Sequence, residues 1–345
     1  ITPIYQTASY VFDDPDHAAR LFGLQEFGNI YSRIMNPTND ALEKKIAALE
    51  GGVGALGVAS GHAAQLIAFH TLMEPGCNIV AARKLYGGSL NQMGEAFLKF
   101  GWETRFVDAD DPENIRAAMD DKTRCVFIES LANPGGVVLD VEPIAAIANE
   151  AGIPLIVDNT MATPYLCRPL EWGADMVIHS TTKFLSGHGT SMGGALVESG
   201  KFDWAKDGKF PTMTEPDPAY HGLTFYETFG DFGFTMKART VALRDFGPAM
   251  SPTNAFYTLT GIETLPLRMD RHVENTMKVA EFLDAHPFVS WVSYAGLKSS
   301  PYHQLARKYL PRGAGSVFTF GLKGGYDAGI KLVEGVNLFS HLANV

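Results

Sequence analysis

The chain has 345 residues, 46% of them apolar and 19% charged, with a formal net charge of −10. At roughly 150 residues per domain this excludes a single small module and a disordered chain, and it predicts two or three packed domains. The negative balance also excludes global attraction to nucleic acid or to an anionic membrane surface, so an anionic ligand needs a local site.

Taken in order, residues 1–50 predict an N-terminal arm with a short helix at Asp16–Phe22 and a longer one at Asn39–Leu49. Pro37 marks the loop that enters the second helix. From residue 51 to 250 short apolar runs alternate with helical periods. The runs are Ala55–Ala59, Asn78–Ala82, Glu103–Asp108, Cys125–Glu129, Pro154–Asp158, Asp175–His179 and Gly194–Glu198. The intervening helices are His62–Met73, Leu90–Phe100, Pro112–Met119 and Pro143–Ala151. Nearly all-apolar strands separated by helices imply an α/β fold around a parallel sheet covered on both faces. Ligands then belong at the carboxyl ends of the strands.

Residues 200–250, rich in Pro, Gly and aromatic side chains, read as a long loop. A helical period over Asn254–Ala285 opens a smaller α+β domain, 251–345. Its elements are predicted at Val289–Tyr294, Tyr302–Tyr309, Ser316–Leu322 and Asp327–Ala343. The chain starts at Ile1 without Met and ends inside that last predicted helix, so both ends read as trimmed and the second domain as incomplete. Three well-separated cysteines, Cys77, Cys125 and Cys167, form no metal-ligand spacing and fit a reducing cytoplasm. No apolar run approaches the roughly 20 residues that span a bilayer. No metal site and no membrane or nucleic-acid partner is expected.

Gly52-Val53-Gly54-Ala55-Leu56-Gly57 matches the dinucleotide fingerprint GxGxxG, but it follows a helix and opens a strand, the reverse of what that motif needs. It reads as a glycine-rich turn. A stronger pattern is Asp158 at a strand end with Lys183 just past the next strand, in Ser180-Thr181-Thr182-Lys183. Pyridoxal phosphate needs such a pair: an amine to carry it, and a carboxylate to keep its ring nitrogen protonated as an electron sink. The alternative is a helix-capping aspartate and a surface lysine, and spacing alone leaves both open. Four further features fall at the same edge. Ser60-Gly61-His62 opens a helix where backbone N–H groups can meet an anion. Ser180 and Thr182 offer hydroxyls, Tyr86 beside Gly87 and Gly88 offers a ring for stacking, and Asn133 offers a hydrogen bond to a ring oxygen. Each taken alone is equally a polar strand end, a helix joint or a loop tyrosine.

In order and interval these motifs resemble the pyridoxal-phosphate enzymes of cysteine and methionine metabolism, the trans-sulfuration group. They are Tyr31-Ser32-Arg33 with Asn36-Pro37-Thr38, Ser60-Gly61 with Ala63-Ala64, Tyr86-Gly87-Gly88, Glu129 with Asn133-Pro134, Val157-Asp158-Asn159-Thr160, and Ser180 with Thr182-Lys183 and Gly187-His188. The resemblance spans essentially the whole chain. It implies fold type I of the PLP-dependent transferases (aspartate-aminotransferase-like), a mostly parallel seven-stranded sheet with the smaller C-terminal domain. It also implies that Lys183 carries pyridoxal 5'-phosphate, that Asp158 pairs with the ring nitrogen, and that Tyr86 stacks on the ring and assists proton transfer. Gly61, the His62 N–H, Ser180 and Thr182 would hold the phosphate, and Asn133 would meet the ring oxygen. Tyr31 and Arg33 would reach the neighbouring subunit's site, making a homodimer the smallest active unit and a tetramer, a dimer of dimers, the usual one. His62 stands where the family commonly has Met or Gln.

Gly200-Lys201-Phe202-Asp203-Trp204, the Glu215–Gly222 loop, Glu263–Arg268 and Phe339–Val345 are most similar to the subgroup that replaces the acetate of O-acetyl-L-homoserine with sulfide or methanethiol. Methionine γ-lyase and cystathionine γ-synthase reactions on the same scaffold are the alternatives. The family's arginine for the substrate carboxylate falls beyond Val345, and Arg239 and Arg268 read as solvated helix charges.

Overall fold

The computed structural model describes residues 1–343. Seven strands, β1 (Gly54–Val58), β2 (Asn78–Ala82), β3 (Glu103–Val107), β4 (Thr123–Glu129), β5 (Leu155–Asp158), β6 (Met176–His179) and β7 (Gly194–Glu198), form one sheet in the order β1-β7-β6-β5-β4-β2-β3. β2 pairs in parallel with β3 and β4, β4 with β5, and β5 with β6. β7 runs antiparallel between β6 and β1. The expected α/β sheet is therefore present and mostly parallel, and its one reversed strand is not visible in an apolar run that reads the same in either direction. Residues of β1, β2, β6 and β7 are buried throughout, as strands covered on both faces require.

The helix Pro37–Glu50 starts where Asn36 Oδ1 accepts the Thr38 N–H at 2.9 Å and stops at Gly51, whose φ of 79° is the left-handed cap. Its Leu42, Ile46 and Ala47 are buried against β1. The glycine-rich Gly52–Gly57 segment serves packing: a Cβ on Gly52 would stand 2.5 Å from Val197, and one on Gly54 would overlap the Phe232 ring.

Several elements differ from expectation. The second half of the 200–250 region is helical, running from Gly233 through a wider π-type turn at Ala238–Leu243 to Phe246. The predicted Leu90–Phe100 helix begins at Gly87 and changes its winding at Gln92 and Phe97. The Asn254–Ala285 period is two helices, Pro252–Glu263 and Leu265–Asp284, divided at Thr264 because Pro266 has no N–H to continue the first. Strands β8 (Val289–Ser293) and β9 (Thr319–Leu322) pair antiparallel and are followed by a helix at Gly325–Gly335. That helix ends at Gly335, so Ala343 lies outside it; Asn344 and Val345 lie outside the described residues. No helix among the described residues is long and apolar enough to cross a membrane, and they hold no cluster of three or more His, Cys, Asp or Glu able to bind a metal.

At the edge of the sheet away from the strand ends used below, burial pushes the Glu198 carboxyl up to about 7, against donors from Thr235, Phe234 and Trp204. A carboxyl raised in the folded state contributes stability at acid pH that is lost as pH climbs through about 7. Glu198→Gln stays neutral and keeps an oxygen for the Thr235 N–H and Oγ1, now 2.8 and 2.7 Å from Glu198 Oε2. It should match the native protein near pH 5 and exceed it by up to about 2 kcal/mol near pH 9, read from melting temperature against pH.

Candidate active site

The parallel strands deliver their last residues to one edge, where Glu129 ends β4, Asp158 ends β5, and β6 runs into the Ser180–Lys183 turn. The helix Gly61–Leu72 starts at the same edge, capped by Ser60 Oγ accepting the Ala63 N–H at 3.1 Å. A cavity of about 540 Å³ opens there, lined by Gly61, His62, Tyr86, Asn133, Asp158, Ser180, Thr182 and Lys183. Tyr31 and Arg33 are not part of it. Both are exposed; the Arg33 guanidinium lies over the Tyr31 ring at 5.5 Å and donates to the Arg244 carbonyl.

Close backbone approach shapes the helix end of the cavity. A Cβ on Gly61 would stand 2.8 Å from that of Ser180, and one on Gly88 would meet the Tyr86 and His62 rings. Ser180 is fixed by donating its N–H to Thr160 Oγ1 at 2.8 Å, and Thr182 Oγ1 bonds both the N–H and the carbonyl of Gly193. The Thr182 hydroxyl is thus already spoken for by the backbone of the loop that returns to β7. The Tyr86 and His62 rings lie 5.9 Å apart at 39°.

Glu129 braces two loops at once. Its Oε1 accepts the Tyr86 N–H at 2.7 Å and its Oε2 the Asn133 N–H at 3.0 Å. Asp158 Oδ1 accepts the Thr160 N–H at 2.9 Å, and burial holds this carboxyl above the ordinary aspartate range. Burial moves the cations the other way: the Lys183 amine is lowered, and so is the His62 imidazole, against the pull of Asp158. His62 Nε2 is buried with no hydrogen-bond partner among the described residues.

Behind Asp158, on the opposite face, Asn159 ties the strand ends together. Its Nδ2 donates to Glu50 Oε1 and the Cys167 carbonyl, and its Oδ1 accepts from Ser130. Glu50 also meets His179 Nε2 at 2.5 Å, with both side chains fully buried.

Arg239 and Arg268 are not solvated helix charges. Arg239 forms a buried pair with Glu43 at 2.6 Å and donates to the Ile34 carbonyl. Arg268 donates to the carbonyls of Phe184 and Gly261 at 2.8 and 2.7 Å, pinning the loop that follows Lys183. Their guanidiniums are consumed by backbone and carboxyl partners. Gln65, which donates to Ser89 at 2.9 Å, also lines the cavity. The signal for it was present: it follows Gly61 by four residues and so shares a helix face with it.

The model of the family described as "Cys/Met metabolism PLP-dependent enzyme" matches residues 1–345. The chain belongs to this family. Among its members, the O-acetyl-L-homoserine sulfhydrylase of Leptospira meyeri is 53% identical over 352 residues, covering 99% of this chain and 79% of the relative. The homocysteine synthase of Schizosaccharomyces pombe is 51% identical, covering 99% of this chain and 80% of the relative. A Campylobacter jejuni structure named as an O-acetylhomoserine (thiol)-lyase, solved with N'-pyridoxyl-lysine-5'-monophosphate, superposes with a TM-score of 0.97 at 39% identity. It covers 99% of this chain and 85% of that one. The PLP-dependent enzymes of this family thus share the mixed sheet described above, and pyridoxal phosphate is the family's cofactor.

Proposed function

We propose that this chain catalyses γ-replacement on O-acetyl-L-homoserine, releasing acetate and adding sulfide to give L-homocysteine, or methanethiol to give L-methionine. The observation that carries the reading is the convergence of Lys183 and Asp158 in one cavity of a chain half-identical to sulfhydrylases.

The donor set fits pyridoxal phosphate. The helix start at Gly61, which has no room for a side chain against Ser180, suits a phosphate met by backbone N–H groups of Gly61 and His62 and by the Ser180 hydroxyl. Thr182 contributes by holding that turn against Gly193. Asp158 suits a cationic ring nitrogen, Tyr86 a ring face, and Asn133 the ring oxygen. When bound, the cofactor supplies an aldehyde for exchange with amines and an electron-withdrawing ring that acidifies the carbons next to the substrate's amino group. Lys183 holds it and moves protons: an amine whose proton affinity is lowered by burial accepts a proton from carbon near neutral pH and returns it later. Glu129 keeps Tyr86 and Asn133 in place on either side.

Tyr31 and Arg33 lie outside their own chain's cavity, which supports a role in a neighbouring subunit's site and a dimer or tetramer as the working assembly. Residues 1–50 are then the arm and helix between subunits, and 51–250 and 251–345 the two domains behind them. Three buried free cysteines fit a cytoplasmic enzyme.

The test is product analysis with O-acetyl-L-homoserine, sulfide and methanethiol, beside methionine alone. Sulfide-dependent acetate release with homocysteine is expected. Ketobutyrate from methionine without a thiol would instead assign γ-elimination, and a cysteine-dependent condensation would assign the cystathionine-forming reaction.

A further inference from the structure

Glu129 is a buried acid of the site for which the reaction above requires no charge. It stands directly opposite Asp158 in the β4–β5 register, and paired residues of neighbouring strands project to the same face. Both carboxyls line the cavity. Two acids side by side in a buried place resist ionising together, and a single proton between them removes the repulsion.

Uncharged donors bond the pair: the N–H groups of Tyr86 and Asn133 to Glu129, and the N–H of Thr160 with the Thr160 and Gln65 side chains to Asp158. The charged and titratable groups that face it are His62 from the helix Gly61–Leu72, Lys183 from the turn after β6, and His179 of β6 behind Asp158. Burial weakens the cationic forms of His62 and Lys183, which limits what either can offer two anions. Burial and then the Asp158 charge raise Glu129, and burial raises Asp158.

We propose that Glu129 is the proton-holding residue of the cofactor site: the empty pair Glu129–Asp158 shares one proton, and arrival of a cationic ring nitrogen at Asp158 sends that proton to solvent. The inference rests on the function proposed above, which places the ring nitrogen at Asp158. In the loaded site both carboxyls are ionised, Glu129 on its two N–H donors and Asp158 on Thr160 and the ring cation. Cofactor uptake is thereby linked to pH through a residue that need not touch the cofactor.

Titrating the apoprotein calorimetrically with pyridoxal 5'-phosphate near pH 7, in two buffers of unlike ionisation enthalpy, counts the protons released. The native protein should release more protons per site than Glu129→Gln, in which Asp158 no longer has an acid beside it and ionises at lower pH. Any proton from Lys183 is common to both and cancels. The difference should vanish near pH 10, where the empty pair has no proton to lose. Infrared difference spectra of the native protein give a second reading that needs no variant. Loading near pH 7 should remove the carbonyl band of a protonated carboxylic acid, and loading near pH 10 should not. Equal proton counts in the two proteins, or no loss of that band at neutral pH, overturn this inference and leave the proposed function standing. A native protein that takes up no pyridoxal phosphate overturns both.

Discussion

Lys183→Ala is expected to lower turnover by at least about 10³-fold and to leave the protein unable to carry the cofactor covalently. The side chain lines the cavity with Asp158, and burial lowers its proton affinity, the property that lets an amine serve as a base near neutral pH. Removing it deletes both the attachment point and the proton carrier. Borohydride reduction of the native protein loaded with pyridoxal phosphate, followed by peptide mapping, should place one pyridoxyl group on the peptide holding Lys183. The variant should yield none. A native-like visible spectrum in the variant, or the label on another lysine, would reject the assignment.

A second large effect is expected from a position with no side chain at all. Gly194 opens β7, and a Cβ there would overlap the Ser60 carbonyl and come within 2.9 Å of the Gly61 nitrogen. These are backbone atoms that cannot rotate aside, so Gly194→Ala must displace the Ser60–Gly61 turn on which the proposed phosphate site rests. Overpacking of this kind costs about 1–3 kcal/mol, and cofactor affinity should fall about 10- to 100-fold with far-ultraviolet circular dichroism unchanged. Gly329→Ala is the control, since nothing stands within 4 Å of the added methyl group. Unaltered cofactor binding by Gly194→Ala would detach the turn from the phosphate.

What the sequence made legible follows from which physical signals are local. Asn78–Ala82 and Gly194–Glu198 are bounded as expected because a fully buried strand is a continuous apolar run with polar neighbours. The direction of β7 is set by how the chain returns after Lys183, which no window of residues contains. The helix at Gly233–Phe246 is masked by the glycine that opens it and by aromatic residues that pack rather than follow a helical period. The division at Thr264 was legible in Pro266 and was outweighed by the periodicity around it. At the site, Asp158, Lys183 and Gly61 could be read because strand ends and helix starts are marked in sequence and the topology brings them together. Arg239 and Arg268 were misread because their partners, Glu43 and the Phe184 carbonyl, are far away in the chain. Glu129 could be seen as a motif residue, but its two N–H partners could not.

The reversal of β7 has a consequence for how the lysine is placed. A parallel strand after β6 would start at the far edge of the sheet, and the chain would have to leave the site to reach it. Because β7 is antiparallel to β6 and pairs with it, the segment 180–193 leaves the site edge and re-enters the sheet at the same edge, with His179 opposite Ala195. Thr182 and Gly193 close it further with their mutual hydrogen bonds. Lys183 therefore sits in a short closed excursion, and only the freedom of that small loop is lost in ordering it. Beyond Lys183 the loop is itself anchored: Phe184, Leu185 and Ser186 are buried, the Ser186 and Ser191 hydroxyls lie 2.9 Å apart, and Arg268 donates to the Phe184 carbonyl, so the excursion that carries the lysine is held from both its ends and its middle.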